Sequence, residues 1–558
     1  MTLDQRRVCV QRATGMLVLV GLAAALVAAD AEPAAPVAIY TKDNAPAAPK
    51  LEDLPLKESV SQYGITWTFE KPARVGQFVS GDWYVVGPVT VKEIDPKPLF
   101  GKEVPAADAA PRELRKMGEE KLARNGSLLN PPPRQEVSFD SEVANYYNPE
   151  LFARLPIAMK PGDCLVSSIS VKKGAKARGT YAAYASRDNN AYRPVVAQAI
   201  LTCLAEPQPP DAFRPSYCDR QQKVYLARNL RRELLPTLPR VPSATADALA
   251  NSCRTFQRPW FNTGFFSFDQ ACKNMPNYAQ LIAQACSDAG CLLCLDFRPE
   301  EKEPLVLGLV QVGIDLYGVV RAGHPGWQAW GGHGSGRKFP IVFAGLLLGD
   351  DAMARVTKTL PKACFGEDEQ TAYGDSWTGA KVVFTGHSGI SAATGLSHAD
   401  VSRRAAWGPY EHRPPSQWIH GNFTSDGYRR ANTTRAWVGE ALAMRLMKGE
   451  KYWGHDAFFD YVDRWMAEGP GDMKFLKAMA PYCTFKNAKD TTKWARSGVA
   501  DGPVVREMYK KYRSTCAAAM DGWKQPHDDS YYKNAVKDME RKMAARKPAP
   551  SAGKTDAK

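Results

Sequence analysis

The chain has 558 residues, 44% apolar and 24% charged, with 13 Trp, 22 Tyr, 21 Phe and a net charge of +14. That length exceeds one ordinary core and sets two or three domains as the expectation. The composition is that of a globular protein, and after the first thirty residues no apolar run approaches a membrane span.

The chain begins with Arg6, Arg7 and Arg12, then the apolar run from Met16 to Ala29, then Ala29-Asp30-Ala31. This is the n-region, h-region and A-x-A order of a secretory signal over residues 1–31. The run falls short of the roughly 20 residues that cross a bilayer. The expectation is a secreted or periplasmic protein with no stable membrane span after signal cleavage. Of the +14, the first 31 residues hold +1 and the tail from Arg541 holds +5, leaving +8 on the body. A modestly basic body outside the cell favours polyanions by steering, and a merely soluble basic surface is the equal alternative from charge alone. Its basic residues are scattered, which argues against a nucleic-acid partner.

Residues 32–60 are rich in Ala and Pro and read as a linker. From Gly64 to Lys92, short β-branched and aromatic runs are broken by Gly, Pro and Asp, as in antiparallel strands. The pattern returns in Gln135-Glu-Val-Ser-Phe139 and from Cys164 to Val171. Residues 60–205 are therefore expected to form a β-sandwich. Helical texture follows over residues 214–540. Helices are predicted at Gln222–Leu238, Asn277–Leu295, Phe339–Leu348, Thr434–Met447, His455–Met466 and Val504–Met520. Leu305–Val320 is almost wholly apolar around Asp315 and should be buried on most sides. Antiparallel helical hairpins closing into an α/α toroid, an incomplete helical barrel, are the expected architecture of this part. The overall fold class is thus multidomain α+β. Residues 541–558 are Lys/Ala/Pro-rich and read as a disordered basic tail.

Of 12 Cys, Cys9 leaves with the signal, and the odd remainder leaves at least one thiol unpaired or bonded to another chain. Cys286, Cys291 and Cys294 share one helix-like stretch, but no fourth ligand lies nearby. Disulfides or buried thiols are expected there, with no metal and no cofactor.

Seven of the eight His fall between His324 and His455, mostly in loops dense with Gly, Trp and Tyr. Such loops display functional side chains on a scaffold. The first runs from Gly323 to Lys338 and includes Trp327, Trp330, His333, Arg337 and Lys338. Two flat rings, an imidazole and two cations suit a uronic-acid sugar; the alternative is a Gly-rich helix start whose His and Arg cap neighbouring turns. The second runs from Trp407 to Trp418 and includes Tyr410, Glu411 and His412. These three in succession cannot all face one pocket, and a rigid structural loop is the alternative. In the third, Tyr428 and Asn432 share one face of a helix start, beside Arg429 and Arg430. In the fourth, Asp460 and Arg464 are an i, i+4 pair, and Phe458, Tyr461 and Trp465 form a stripe that reads as core. Asn277-Tyr278 opens the helix of the Cys cluster about 56 residues before His333, a spacing that in a toroid can bring both to one end of the barrel.

The leader, the β region, the helical body, the motif Gly332-His-Gly-Ser-Gly-Arg-Lys338 and the late Phe459-Asp-Tyr-Val-Asp-Arg-Trp465 together resemble secreted α/α-toroid polysaccharide lyases of the alginate, glucuronan and heparinase type. The resemblance spans residues 260–470. It implies β-elimination on an acidic polysaccharide: a base removes the C5 proton, an acid assists the C4 oxygen, and a polar group neutralises the carboxylate. It implies His333 as base or neutraliser, Tyr428 as acid or base, and Asn277 and Arg337 at the carboxylate. Arg429 or Arg430 would hold another sugar, with His412 the reserve base. A glycoside hydrolase with paired carboxylates drawn from Asp375, Glu411, Asp456 and Asp460 is one alternative. A non-catalytic glycan-binding or envelope protein is the other. Gly386-His-Ser-Gly389 does not make the serine-hydrolase elbow.

Overall fold

The computed structural model describes residues 38–98, 125–133, 152–170, 195–261, 275–276, 278–329, 331–374, 380–386, 432–467 and 498–517, with Lys537 and Arg541. The signal, the segment Gln135–Phe139 and most of the basic tail lie outside them.

The β region is a single mixed sheet. Its strands are β1 (Leu56–Gln62), β2 (Ile65–Gln77), β3 (Trp83–Val86), β4 (Val89–Asp95), β5 (Ser127–Leu129), β6 (Ile157–Met159), β7 (Cys164–Ser170) and β8 (Val195–Leu204). The order is β5-β7-β8-β3-β2-β4-β6, with β1 also on β2; β3 and β8 are parallel and the remaining pairs antiparallel. The long strand β2 pairs β4 through Thr66–Phe69 and β3 through Val75–Gln77. Pro72, with no N–H to donate, sits between the two stretches. One strand serving two neighbours in succession curls the sheet into a half-barrel.

One side of the sheet holds its own core, including Trp67, Phe69, Val91, Leu165, Ala199 and Leu201. Trp67 satisfies its indole N–H on Ser167 Oγ at 2.9 Å, and Ser167 pairs with Ser127 at 2.7 Å. On the opposite side Leu128, Cys164, Val166 and Ile200 join the helical core. The expected β-sandwich is therefore corrected. The alternating strands were legible, but helices cover the second face of the sheet where a sandwich would place another sheet.

The α/α toroid is corrected as well: the structure is about 40% helical around a half-barrel, and the toroid is not formed by the described residues. Helices α1 (Ala246–Phe256), α2 (Ala279–Leu293), α3 (Pro299–Arg321), α4 (Lys338–Leu348), α8 (Thr434–Leu446), α10 (Asp456–Ala467) and α11 (Pro503–Tyr512) form the body, with α5 (Asp351–Ala354), α6 (Val356–Thr359), α7 (Gly366–Glu369) and α9 (Glu450–Trp453) as single turns. The main partner of α2 is not its chain neighbour but α8. A Cβ at Gly439 would touch Ser287, and one at Gly290 would touch Ala443, so small residues bring the two backbones close. The matched positions rise together in number, so the pair is parallel and no hairpin can connect it.

The predicted helix Gln222–Leu238 is also corrected, to two 3₁₀ turns at Ala227–Asn229 and Arg232–Leu234. Three of its backbone donors are used at long range, Ala227 N on Asp211 O, Arg231 N on Leu347 O and Leu238 N on Cys294 O, and others make short turns. The described part of the linker packs on the body, where Arg232 and Arg228 donate to Tyr40 O and Pro46 O.

Helix α3 is buried along most of its length, as its sequence requires. It passes the length and hydropathy test for a membrane span, yet 94% of its apolar window is buried inside the protein. Asp315 is tolerated there because the fully buried Arg214 gives it two bonds, 2.9 and 2.6 Å, and reaches Asp82 on the sheet side at 2.7 Å. Gln311 clamps the backbone of Arg214 from both sides, at 3.0 Å each. Burial pushes Asp315 up to about 6, with Arg214 pulling it back, so the pair stays charged at neutral pH. This triad fastens the half-barrel to α3.

Candidate functional site: a glycine-rich loop at the start of two parallel helices

The loop between β9 (Gly326–Trp327) and α4 is held from beneath. β9 pairs in parallel with β10 (Cys364–Phe365), which sets the following turn α7 under the loop. Glu369 Oε2 accepts from Ala329 N at 2.7 Å, Glu367 accepts from Gly336 N, and Gln370 Nε2 donates to Gly331 O at 3.0 Å. Arg337 donates to the carbonyls of His333 and Ser335, both at 2.9 Å, and Trp437 Nε1 donates to Ser335 Oγ at 3.0 Å. Glu367, Glu369, Gln370 and Arg337 are all buried. Burial raises Glu367 to about 7 and lowers Arg337 to about 9.

Two glycines are required by this packing. Gly336 has φ +89°, and a Cβ there would press on Ala283 N and stand 2.7 Å from Ile282 Cγ2. A Cβ on Gly332 would strike Asn432 O and stand 2.8 Å from the hydroxyl of Tyr278.

Above this support His333 is half-buried, with its ring edge-on to Tyr278: centroids 5.1 Å apart, planes at 84°. Asn432 Nδ2 lies 3.4 Å from Tyr278 OH, a long contact. Tyr278 precedes α2, and Asn432 lies in a π-helical turn leading into α8. Such turns recur at functional sites. The parallel packing of α2 and α8 therefore delivers a phenol and an amide to one end of the body, and the anchored loop delivers the imidazole. The group contains the residue types that transfer protons and stabilise an anion.

Of the residues singled out in the sequence, His333 lies in this cluster and Asn277 is next to Tyr278 in the chain. Trp327, Arg337 and Lys338 are placed inside the protein. Trp327 packs on His324 and Phe365. Lys338 pairs with Asp368 and lies 4.5 Å over the Trp453 ring. In the described structure these three are buried and do not face solvent, with Arg337 bonded to loop carbonyls and Lys338 to Asp368. Asn277, Trp330, Tyr410, Glu411, His412, Tyr428, Arg429 and Arg430 fall outside the described residues, as does Asp375. Asp456 and Asp460 stand one turn apart on α10, and Asp460 accepts from Tyr373 OH at 2.6 Å. The stripe Phe458, Tyr461 and Trp465 is core, each fully buried.

Tyr278 was legible only as a neighbour of Asn277, and Asn432 only as a partner of Tyr428. Glu367, Glu369 and Gln370 were missed, because an acidic run reads as a solvated face. The signal that locates them is the loop itself: its buried N–H groups need acceptors. The nine described cysteines carry free thiols. Cys286 Sγ donates to Gly336 O at 3.3 Å, and burial raises the thiols of Cys286, Cys291 and Cys294. Among the described residues no group of three or more His, Cys, Asp or Glu is placed to hold a metal ion. No protein-family model matches the chain, and no match is found among curated proteins or solved structures.

Proposed function

We propose that the protein is exported and cleaves an acidic, uronic-acid-containing polysaccharide by β-elimination at the Tyr278–His333–Asn432 cluster. The observation that supports this most is the edge-on approach of His333 to Tyr278 beside the Asn432 amide. Imidazole or phenolate takes the proton from C5 of the uronate. The C5–H electrons form the C4=C5 double bond, the C4–O bond breaks, and the phenol or imidazolium returns a proton to the leaving oxygen. The Asn432 amide donates toward the carboxylate as charge builds on it. A fixed donor of this kind is worth most where it needs no reorganisation. The basic body and the order of residues 1–31 support a polyanion met outside the cell.

The test is incubation of the protein with alginate, glucuronan and heparan-type chains, following ultraviolet absorbance of the unsaturated uronide. Absorbance that rises with enzyme, and is lost in Tyr278→Phe, supports the reading. New reducing ends without absorbance mean hydrolysis instead, and binding without cleavage means a glycan-binding protein.

A further inference from the structure

A cavity of about 250 Å³ lies between the β2–β3 turn of the half-barrel, the end of α1 and the first half of α3. It exists because of what α3 places there. Pro304 and Gly308 stand one turn apart on that helix and carry no long side chain into the space. Gly308 is required, since a Cβ there would come within 2.7 Å of Phe256 O. Phe256, Leu307 and Val312 form apolar, buried walls, while Ser80 and Gln257 stand at the accessible rim.

The buried end is polar, with Asp82 and Gln311 in the lining. Gln311 spends one N–H and one lone pair on the backbone of Arg214. A carboxamide has two of each, and among the described residues the second pair has no partner. The charges around the cavity are already matched. Arg214 bonds Asp82 and Asp315, and Arg258, also in the lining, lies 4.5 Å over the Tyr63 ring. An ionised ligand would leave water with no counter-charge waiting for it, at a cost that a neutral one avoids. An apolar cavity of about 150 Å³ takes up benzene, so this one has room for a ring and a short polar arm. We propose that the cavity binds a neutral monocyclic alcohol, its ring against Phe256, Leu307 and Val312 and its hydroxyl, both donor and acceptor, on Gln311. The bound molecule touches half-barrel and helices at once and tightens the joint that the Arg214 triad fastens. This site is independent of the β-elimination reading.

The experiment titrates the full chain with benzyl alcohol, and with benzoate and benzylammonium as charged matches of similar size, following protein NMR shifts and the melting temperature. Benzyl alcohol is expected to saturate with a Kd of about 1 mM or below and to raise the melting temperature. The two ions are expected to bind at least about tenfold more weakly. Cys253, partly exposed on the cavity wall, locates the site in two ways. Cys253→Phe fills the space and is expected to lose binding, while Cys253→Ser leaves it open and keeps it. In the wild type, bound benzyl alcohol is expected to slow alkylation of the Cys253 thiol, read by mass spectrometry, so the test stands even if Cys253→Phe does not fold. No saturation by about 10 mM benzyl alcohol overturns the proposal. Equal binding of either ion, unchanged alkylation of Cys253, or full binding by a folded Cys253→Phe chain overturns it as well.

Discussion

His333 and Tyr278 stand edge to face with ring centroids 5.1 Å apart. One is presented by a loop anchored on buried Glu and Gln side chains, the other by the first residue before a helix. The backbone of the loop is held by Glu367, Glu369, Gln370 and Arg337, so the His333 ring is not what anchors it. His333→Ala is expected to abolish turnover while moving stability by no more than about 1 kcal/mol. Tyr278→Phe should lower kcat by roughly 10²–10⁴-fold, the usual worth of a general acid or base. Chemical denaturation beside steady-state rates checks both; a large stability loss with normal activity per folded molecule would make His333 structural.

The loop support gives a second prediction. Glu369→Ala orphans the buried Ala329 N–H and should cost about 1–3 kcal/mol. Gly336→Ala should cost at least as much, because it adds a left-handed φ to a clash with Ala283 and Ile282. Urea midpoints measure both. Near-neutral values would mean that the loop is not held from below.

The pH dependence of stability is the third. Burial raises Glu367 and Asp288 to about 7 and Asp315 to about 6, and it raises Glu440 well above the usual carboxylate range. The folded state keeps these protons where the unfolded chain has already shed them. Their stabilisation is full below the ordinary carboxylate range and is lost as pH rises through the folded values. Stability should therefore fall between about pH 5 and pH 8. Glu440 has both carboxylate oxygens buried without partners. Glu440→Gln should flatten that slope and stabilise the protein at the alkaline end. Thermal melts across the range decide; a melting temperature that rises with pH would contradict the burial of these groups.

The Arg214 triad yields the fourth. Asp315→Ala leaves a buried guanidinium short of its main partner and should cost about 3–5 kcal/mol. Replacing Arg214, Asp82 and Asp315 together with apolar residues of similar size should recover much of that loss. Denaturant midpoints of the single and triple variants test it, and a harmless Asp315→Ala would remove the triad as the fastener between sheet and helices.

The sequence disclosed the elements better than their arrangement. Helix α3 was readable because an almost unbroken apolar run can only be buried, and Asp315 within it demanded a partner. The partner, Arg214, was not readable: it lies 101 residues away in the chain, and nothing local marks it. Strand alternation at Gly64–Lys92 was clear, but alternation shows only that a strand has two faces. It does not say whether a second sheet or a set of helices covers the outer one, hence the sandwich that became a half-barrel. Gln222–Leu238 has a helical period, yet the N–H groups of Ala227, Arg231 and Leu238 serve distant carbonyls, a tertiary choice that periodicity does not record. At the site, Gly332 and Gly336 signalled a close backbone approach. Arg337 and Lys338 beside them looked like ligand cations because burial is invisible in a charged loop sequence.

The most direct test of the account is the product formed from a uronic-acid polysaccharide by the wild-type chain and by Tyr278→Phe, assayed side by side. The account predicts a chain end with a C4=C5 double bond from the wild type, and little or none from the folded variant. A saturated product, or an unsaturated one formed equally well by Tyr278→Phe and His333→Ala, would contradict it.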